Sequence, residues 1–544
     1  MNLNNKKTIL AALAAALICL LVYLRALGCD FVNYDDYQYV VDNPAIRLID
    51  WQFVKEALTT SYMGWWMPLT WISFAVDYHF WGLNPLGYHL TNILLHAANA
   101  GLVVLVADEL LGQWKEGGSR VKGQGASENF EYIYPATLLL AALLWGLHPL
   151  RVESVAWVTE RKDVLNGIFS LAAILCYLRY VRMKNSVGYS ASAIRLYVLS
   201  LLFLLFSLMS KPISVVIPAM LLVADWYPLG RFSKEKVQQV LLEKVPFVVL
   251  VAGISLATIY FASGNQILVS YSDLSLFKRF ILAGYALFEY CLMSLYPVGI
   301  VHMYLMPWPF PPSYTLKAVV MIVFSVFCFW RYRKNPWLTA TWLAYVIPLL
   351  PVLGFFQNGA QSHAARFTYL PSVAPGICAA AIFLVLSKRY PRYKRFLATA
   401  VVVLILFYTA ISLRHIAAWK NPETLWSRAI AIRPVGRAYY LRAQYFQMES
   451  RYIEAADDLL KSIDLGKKAG YTMLYNLYAL RGDALNKAGK YDEAVKEFTR
   501  AIELHPYAEY YYHRGLAFKN SGRLKESEAD FLRAGDQMGP LEWR

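Results

Sequence analysis

Long apolar runs constrain this chain more than any other feature. Ile9–Leu27, Leu138–Leu147, Val198–Met209 and Val401–Ile411 carry almost no charge, and similar runs recur up to Leu413. A helix rises about 1.5 Å per residue, so a run of about twenty residues matches a hydrocarbon core of about 30 Å. Inside lipid the backbone must satisfy its own polar groups, which selects helices. With 58% hydrophobic and 17% charged residues, the composition is that of a membrane protein. The net charge of +16 sits largely in short loops between runs, where basic residues report topology, so nucleic acid is excluded as a partner. The six cysteines show no Cys-x-x-Cys or Cys/His ligand spacing and read as apolar packing residues.

Eleven spans follow from the runs and the loop charges. They are Ile9–Leu27, Tyr88–Leu111, Tyr134–Leu147, Val164–Tyr180, Tyr197–Met209, Ile213–Trp226, Val245–Ala262, Ala318–Trp330, Trp337–Leu353, Leu370–Leu386 and Phe396–Leu413. Lys6-Lys7 and the basic loop Arg331-Tyr-Arg-Lys334 go to the cytoplasmic side. Parity then keeps Phe280–Leu295, with Lys278, Arg279 and Glu289, out of the count as an interfacial or re-entrant helix. The loop Gly112–Ser127 reads as flexible and cytoplasmic, and residues 29–87 form a large outer loop with short helices at Asp50–Thr60 and Trp71–Phe80. Everything after Arg414 falls on the non-cytoplasmic side.

From about Pro422 the pattern changes to short amphipathic helices with a repeat. Gly489-Lys-Tyr-Asp-Glu-Ala494 with Phe498, Ala501 and Pro506 fits a tetratricopeptide hairpin, and Gly522-Arg-Leu-Lys-Glu-Ser527 opens the next copy. Arg451-Tyr-Ile-Glu-Ala455 is a looser copy, followed by an insertion near Gly466–Tyr471; Trp426, Ala429 and Pro434 mark a lone helix before it. The expected architecture is all-α: a polytopic helical bundle over residues 1–415, then a tetratricopeptide α-solenoid over 416–544. Such solenoids offer a concave surface suited to an extended peptide.

Chemistry-bearing residues gather at the outer ends of the spans. Asp35 and Asp36 lie just after the first span, where carboxylates can act on a substrate whose tail stays in lipid. His148-Pro-Leu-Arg-Val-Glu153 and Trp157, Glu160, Arg161, Lys162 and Asp163 follow the third span. Ionisable groups are costly there unless they face water or each other. A helix over Leu150–Arg161 would place Glu153, Trp157, Glu160 and Arg161 on one face. Lys211, His302 with Tyr304, and Arg366 stand at other outer span ends, where a departing phosphate would need cations. Trp65-Trp66 and Trp81 are interfacial anchors or a stacking floor for a sugar or prenyl chain.

Six segments together resemble one family. They are Phe-Val-Asn-Tyr-Asp-Asp (31–36), Met-Pro-Leu-Thr-Trp (67–71), Gly-Leu-Asn-Pro-Leu-Gly-Tyr-His-Leu-Thr-Asn (82–92), the run from His148 to Leu165, Ser-Lys-Pro (210–212) and Arg-Phe-Thr-Tyr-Leu-Pro (366–371). In that order, over essentially the whole chain, they resemble the bacterial branch of the transmembrane-and-tetratricopeptide-repeat O-mannosyltransferases, which are GT-C glycosyltransferases. The resemblance implies a polyprenyl-phosphate sugar donor and a Ser or Thr hydroxyl acceptor. It implies an acidic motif at Asp35 and Asp36 and a second-loop signature at His148, Glu153, Arg161, Lys162 and Asp163. The chain departs from the family pattern at Ala365, a position where members of the family often carry an Asp just before the Arg, which leaves Arg366 without that partner.

The expected function is transfer of a sugar from the lipid-linked donor to a protein hydroxyl at the periplasmic face of a bacterial inner membrane, the repeats recruiting the acceptor. Asp35 or Asp36 would be the base in one inverting displacement. The leaving phosphate would be met by Lys211, Arg366 and Arg161 or Lys162, with His302 and Tyr304 beside it, or by a divalent cation held by Asp35 and Asp36. The alternatives are an oligosaccharyltransferase or ligase moving a longer glycan, and a non-enzymatic membrane scaffold for envelope or pilus assembly.

Overall fold

The computed structural model describes residues 3–118, 128–262, 274–307, 309–355, 361–469 and 473–538. They form two compact units: Met1–Phe31 with Asp36–Trp419, and Val32–Asp35 with Lys420–Arg544.

The first unit is a helical bundle. Its elements are α1 (Leu3–Tyr23), α2 (Trp51–Thr59), α3 (Pro68–Trp81), α4 (Pro85–Gly118), α5 (Glu128–Gly146), α6 (Val152–Ala156), α7 (Arg161–Val187), α8 (Ala191–Ser210), α9 (Ile217–Trp226), α10 (Val237–Ala262), α11 (Leu276–Leu295), α12 (Pro312–Trp330), α13 (Pro336–Val346), α14 (Val373–Arg389) and α15 (Lys394–Ala418). One two-stranded ribbon, β1 (Tyr304–Leu305) paired antiparallel with β2 (Gln361–His363), lies among them.

Seven helices among the described residues are long and apolar enough to cross a membrane, or eight if the bent pair Ile133–Gly146 and Pro149–Ala156 is one span. This is a multi-pass membrane protein. The expectation of eleven spans exceeds that number because several runs are short or broken: Pro212–Trp226 and Pro336–Val352 are shorter apolar helices, and Val373–Arg389 has 17 residues. Leu276–Leu295 is not among the candidates. The expected loop at Gly112–Ser127 is in part helical, because α4 continues to Gly118; residues 119–127 lie outside the described residues.

The expected helix over Leu150–Arg161 is broken instead. A 3-10 turn at Pro149–Arg151 leads into α6, Trp157 is extended (φ −85°, ψ 119°), and another 3-10 turn at Val158–Glu160 precedes α7. The carbonyls exposed by this break need donors. The amide of Asn92 on α4 donates to the carbonyls of Val155 (3.3 Å) and Trp157 (3.1 Å). One turn on, His96 bonds the Tyr369 hydroxyl (2.8 Å) and the Gly146 carbonyl (3.0 Å). Asn99 then donates to the Val164 carbonyl (2.8 Å) and to Tyr369 (3.0 Å). A polar stripe at i, i+4 and i+7 on α4 therefore fixes the breaks around α5, α6 and Tyr369.

The second unit holds α16 (Pro422–Ile432), α17 (Gly436–Met448), α18 (Tyr452–Lys468), α19 (Leu474–Lys487), α20 (Tyr491–Leu504), α21 (Ala508–Asn520) and α22 (Leu524–Met538). They are three hairpins behind a lone helix, as the repeat pattern predicts. The expected insertion at Gly466–Tyr471 falls partly on residues 470–472, outside the described residues; α18 itself has 17 residues against 14 in α20. Val32–Asp35 belong to this unit through Asn33, which accepts from the Trp426 indole (2.8 Å) and donates to the Leu441 carbonyl (2.7 Å).

Two devices recur in the hairpins, the first in two of the three. Arg442 and Asp458 form a two-pronged ion pair (2.6 and 2.8 Å), repeated by Arg514 and Asp530 (2.7 and 2.8 Å). Gly489 (φ 78°) and Gly522 (φ 80°) close their first helices in the left-handed conformation, and Ser450 (φ 58°) does so in the looser copy. The backbone bonds match: Arg451, Lys490 and Arg523 donate to Phe446, Leu485 and Phe518 (2.8, 2.9 and 2.9 Å). A residue with a Cβ is strained there by about 1 kcal/mol relative to glycine. Ser450→Gly is therefore expected to stabilise the repeat unit by about 1 kcal/mol. Arg514→Ala, which strands Asp530, should cost about 3 kcal/mol. Both changes are read from thermal unfolding of the full chain.

Candidate functional site

In the first unit the break between α6 and α7 brings the expected ionisable groups together. Asp36, 1% exposed, accepts through Oδ1 from the backbone N–H of Thr159 (2.9 Å) and from its hydroxyl (2.5 Å). The acidic motif is thereby tied to the segment that bears Glu160, Lys162 and Asp163. Asp35, half-buried, belongs to the other unit, so the two acids of the motif have different surroundings.

Around Glu160 the remaining ions converge. Lys162 (3.2 Å), Lys211 (3.4 Å) and Arg366 (3.2 Å) all pair with its carboxylate. Lys211 also pairs with Asp163 (2.5 Å), and Arg366 with Glu153 (2.5 Å). Ser154 donates to Asp163 (3.0 Å). Three acids thus face three cations, which makes the cluster neutral. Arg366 is not left without a partner by Ala365, since Glu153 and Glu160 supply its carboxylates from another part of the chain, and Gln361 accepts from it as well (3.1 Å).

Lys211 is placed by its backbone. It ends α8 in an extended conformation (φ −154°, ψ 124°), and its carbonyl accepts from Asn166 (3.0 Å), which also binds Ser207 and Ser214. Trp157 forms one wall. The guanidinium of Arg366 (5.5 Å) and the ammonium of Lys162 (5.8 Å) lie over its ring, and Trp419 stacks against it at 5.7 Å. His302 meets Trp419 edge-on at 5.6 Å. Burial, and then the charge of Arg366, push the pKa of His302 down to about 3, so it stays neutral. Tyr304 stacks on His363 at 4.1 Å in the strand pair that includes Gln361.

Two expected members point elsewhere. His148 accepts from the Leu150 N–H (3.2 Å) and bonds the Ser294 carbonyl (3.1 Å), which makes it a cap of the turn after α5. Arg161, fully buried, pairs with Asp77 (2.6 Å) and donates to Ser73 (2.6 Å), the Tyr88 carbonyl (2.8 Å) and Asn92. It anchors α7 to α3 and α4. Glu160 is the hub, although sequence placed it only on a helix face. Thr159 and Gln361 were not singled out; Thr159 had a signal only in lying inside the motif from His148 to Leu165.

Asp35 and Asp36, the expected cation ligands, belong to different units, and Oδ1 of Asp36 is taken by the Thr159 N–H and hydroxyl. Among the described residues no three His, Cys, Asp or Glu side chains converge as a ligand set.

Residues 482–522 match the family model described as TPR repeat. Protein O-mannosyl-transferase TMTC4 of Homo sapiens is 29% identical over 247 residues, 43% of this chain and 31% of that protein. Protein O-mannosyl-transferase tmtc2 of Xenopus laevis is 32% identical over 194 residues, 34% of this chain and 20% of that protein. A third, F38B6.6 of Caenorhabditis elegans, is 24% identical over 77% of this chain and 57% of its own length. The relatives of this chain are protein O-mannosyl-transferases. The aligned segments span only about a fifth to a third of the first two relatives. A solved Archaeoglobus fulgidus oligosaccharyltransferase tethered to an acceptor peptide is similar with a TM-score of 0.42 and 12% identity, over 82% of this chain and 58% of that one.

Breaking a buried pair by removing one partner costs about 3–5 kcal/mol. Asp77→Ala, which strands Arg161, is expected to lower the melting temperature and the yield of monodisperse protein, whereas Lys162→Gln leaves both close to wild type. For His302 the folded pKa lies below the unfolded value of about 6.5. Its contribution to stability is therefore full above pH 6.5 and is lost as the pH falls toward 3. His302→Asn should flatten the acid side of a plot of melting temperature against pH.

Proposed function

We propose that this chain is a membrane glycosyltransferase of GT-C type. It moves a sugar from a polyprenyl-phosphate donor to a Ser or Thr hydroxyl of a protein, at the periplasmic face of a bacterial inner membrane. The observation that carries this reading is the tie between Asp36 and Thr159, one residue from the Glu160 hub where Lys162, Lys211 and Arg366 meet. A base and a set of cations held by one short segment suit a displacement in which a hydroxyl loses a proton while a phosphate departs.

In that displacement the acceptor oxygen bonds to the anomeric carbon, its proton passes to Asp36, and the bond from that carbon to the phosphate oxygen breaks with inversion. The hydroxyl is too weak an acid to ionise first, so base assistance develops in the transition state. The electron pair left on the phosphate is met by Lys211, Arg366 and Lys162, which exchange part of their pairing with Glu160 for the phosphate oxygens. Trp157 keeps Arg366 and Lys162 over its ring during that exchange. The repeats recruit the acceptor polypeptide.

The test is transfer by purified full-length protein from a polyprenyl-phosphate sugar to a Ser/Thr peptide, read by mass spectrometry. Asp36→Asn is expected to lower turnover by about 10²–10⁴-fold with expression unchanged. Lys211→Ala and Arg366→Ala should lower it as well, and EDTA should leave it unchanged. A gain of one hexose fits the proposal, whereas a gain of several sugars would favour the oligosaccharyltransferase alternative. Full activity in Asp36→Asn removes Asp36 from the chemistry.

A further inference from the structure

An apolar cavity lies among α4, α7, α9, α13 and α14. Its volume is about 410 Å³, and of its lining side chains only Thr341, Tyr227, Trp337 and Cys378 carry an N–H, O–H or S–H. It runs along α14 from Val373 to Leu386, which at about 1.5 Å per residue makes it a slot about 20 Å long, with Leu370 lining it just before the helix. Hydrocarbon matches such a lining; water does not.

The two ends of the slot differ. Leu370 follows Tyr369, whose hydroxyl is bonded to His96 and Asn99 and whose carbonyl accepts from Trp145 (2.8 Å). That end abuts a fixed polar core. At the other end Leu386 and Trp337 line the slot, and basic residues stand close to both in sequence: Arg389 in the last turn of α14, and Arg331, Arg333 and Lys334 just before α13. Arg333, Lys334 and Arg389 are exposed. Arg331 donates to Asn335 (3.1 Å) and Arg333 to the Tyr332 hydroxyl (2.6 Å), both neutral partners.

We propose that this slot binds one acyl chain of an anionic phospholipid, with the lipid phosphate met by Arg331, Arg333, Lys334 and Arg389 at its mouth. Entry from the basic end is what charge complementarity selects, because each Lys or Arg near a membrane surface favours an anionic headgroup by about 1 kcal/mol. The chain would fill the space between α14 and α7 and couple the packing of α13 and α14 to the composition of the bilayer.

The experiment is native mass spectrometry of the full-length protein in detergent, titrated separately with dioleoyl phosphatidylglycerol and dioleoyl phosphatidylcholine. Wild type is expected to hold one phosphatidylglycerol at about a tenfold lower concentration than phosphatidylcholine. Ile377→Trp, which fills the slot, should abolish that adduct. The combined variant R331Q/R333Q/K334Q/R389Q leaves the slot intact and should bring the two lipids to within about twofold of each other. Equal binding of both lipids by wild type, an adduct indifferent to both variants, or displacement of the adduct by a polyprenyl phosphate would each overturn the proposal.

Discussion

Broken backbone inside a membrane protein needs hydrogen-bond partners from its own chain, and this requirement organises the first unit. The segment between α5 and α7 is not a regular helix: Trp157 is extended and short 3-10 turns flank it. In lipid such a break is tolerated only where the freed groups are bonded within the protein. Asn92, His96 and Asn99 provide those bonds from a single face of α4. Arg151 does the same for Thr368, donating to its carbonyl at 2.8 Å. The break lets Glu160, Lys162 and Asp163 face Lys211 and Arg366 while Arg161 turns toward Asp77. A regular helix over the same residues would have put Glu160 and Arg161 side by side on one face.

The ion cluster is a poor stabiliser, and that bears on what it does. Desolvating three acids and three cations costs about as much as their attraction returns, so apolar packing would hold the helices at least as well. Under the proposed function, neutrality also sets how an anionic phosphate would bind, since it would have to take cations from carboxylates already present. Lys211 and Arg366 each serve two carboxylates, so either can turn toward a phosphate and leave one pair behind.

The second unit is held by repetition. The ion pairs Arg442–Asp458 and Arg514–Asp530 recur at the same spacing within their hairpins, and each turn ends on a left-handed residue. Ser450 shows why one copy was harder to see in the sequence, because the fold keeps the turn and loses only the glycine that advertises it.

Sequence by itself determined the class of fold and the division of labour along the chain. Apolar length dictates membrane helices, and the 33-residue step from Gly489 to Gly522 dictates helical hairpins, because both are local periodic properties. The motif residues Asp36, Glu153, Lys162, Asp163, Lys211 and Arg366 were legible as charged groups at span ends. Which of them meet was not. Arg161 and His148 belong to the same run as Glu160, yet they serve packing and a turn, because a local break redirects side chains in ways periodicity cannot anticipate. Only the tertiary structure decided that Glu160 is the hub, that Thr159 holds Asp36, and that Glu153 and Glu160 are the acids of Arg366. Apart from Glu160–Lys162, those pairings join residues far apart in sequence, and local periodicity does not say which distant residues meet.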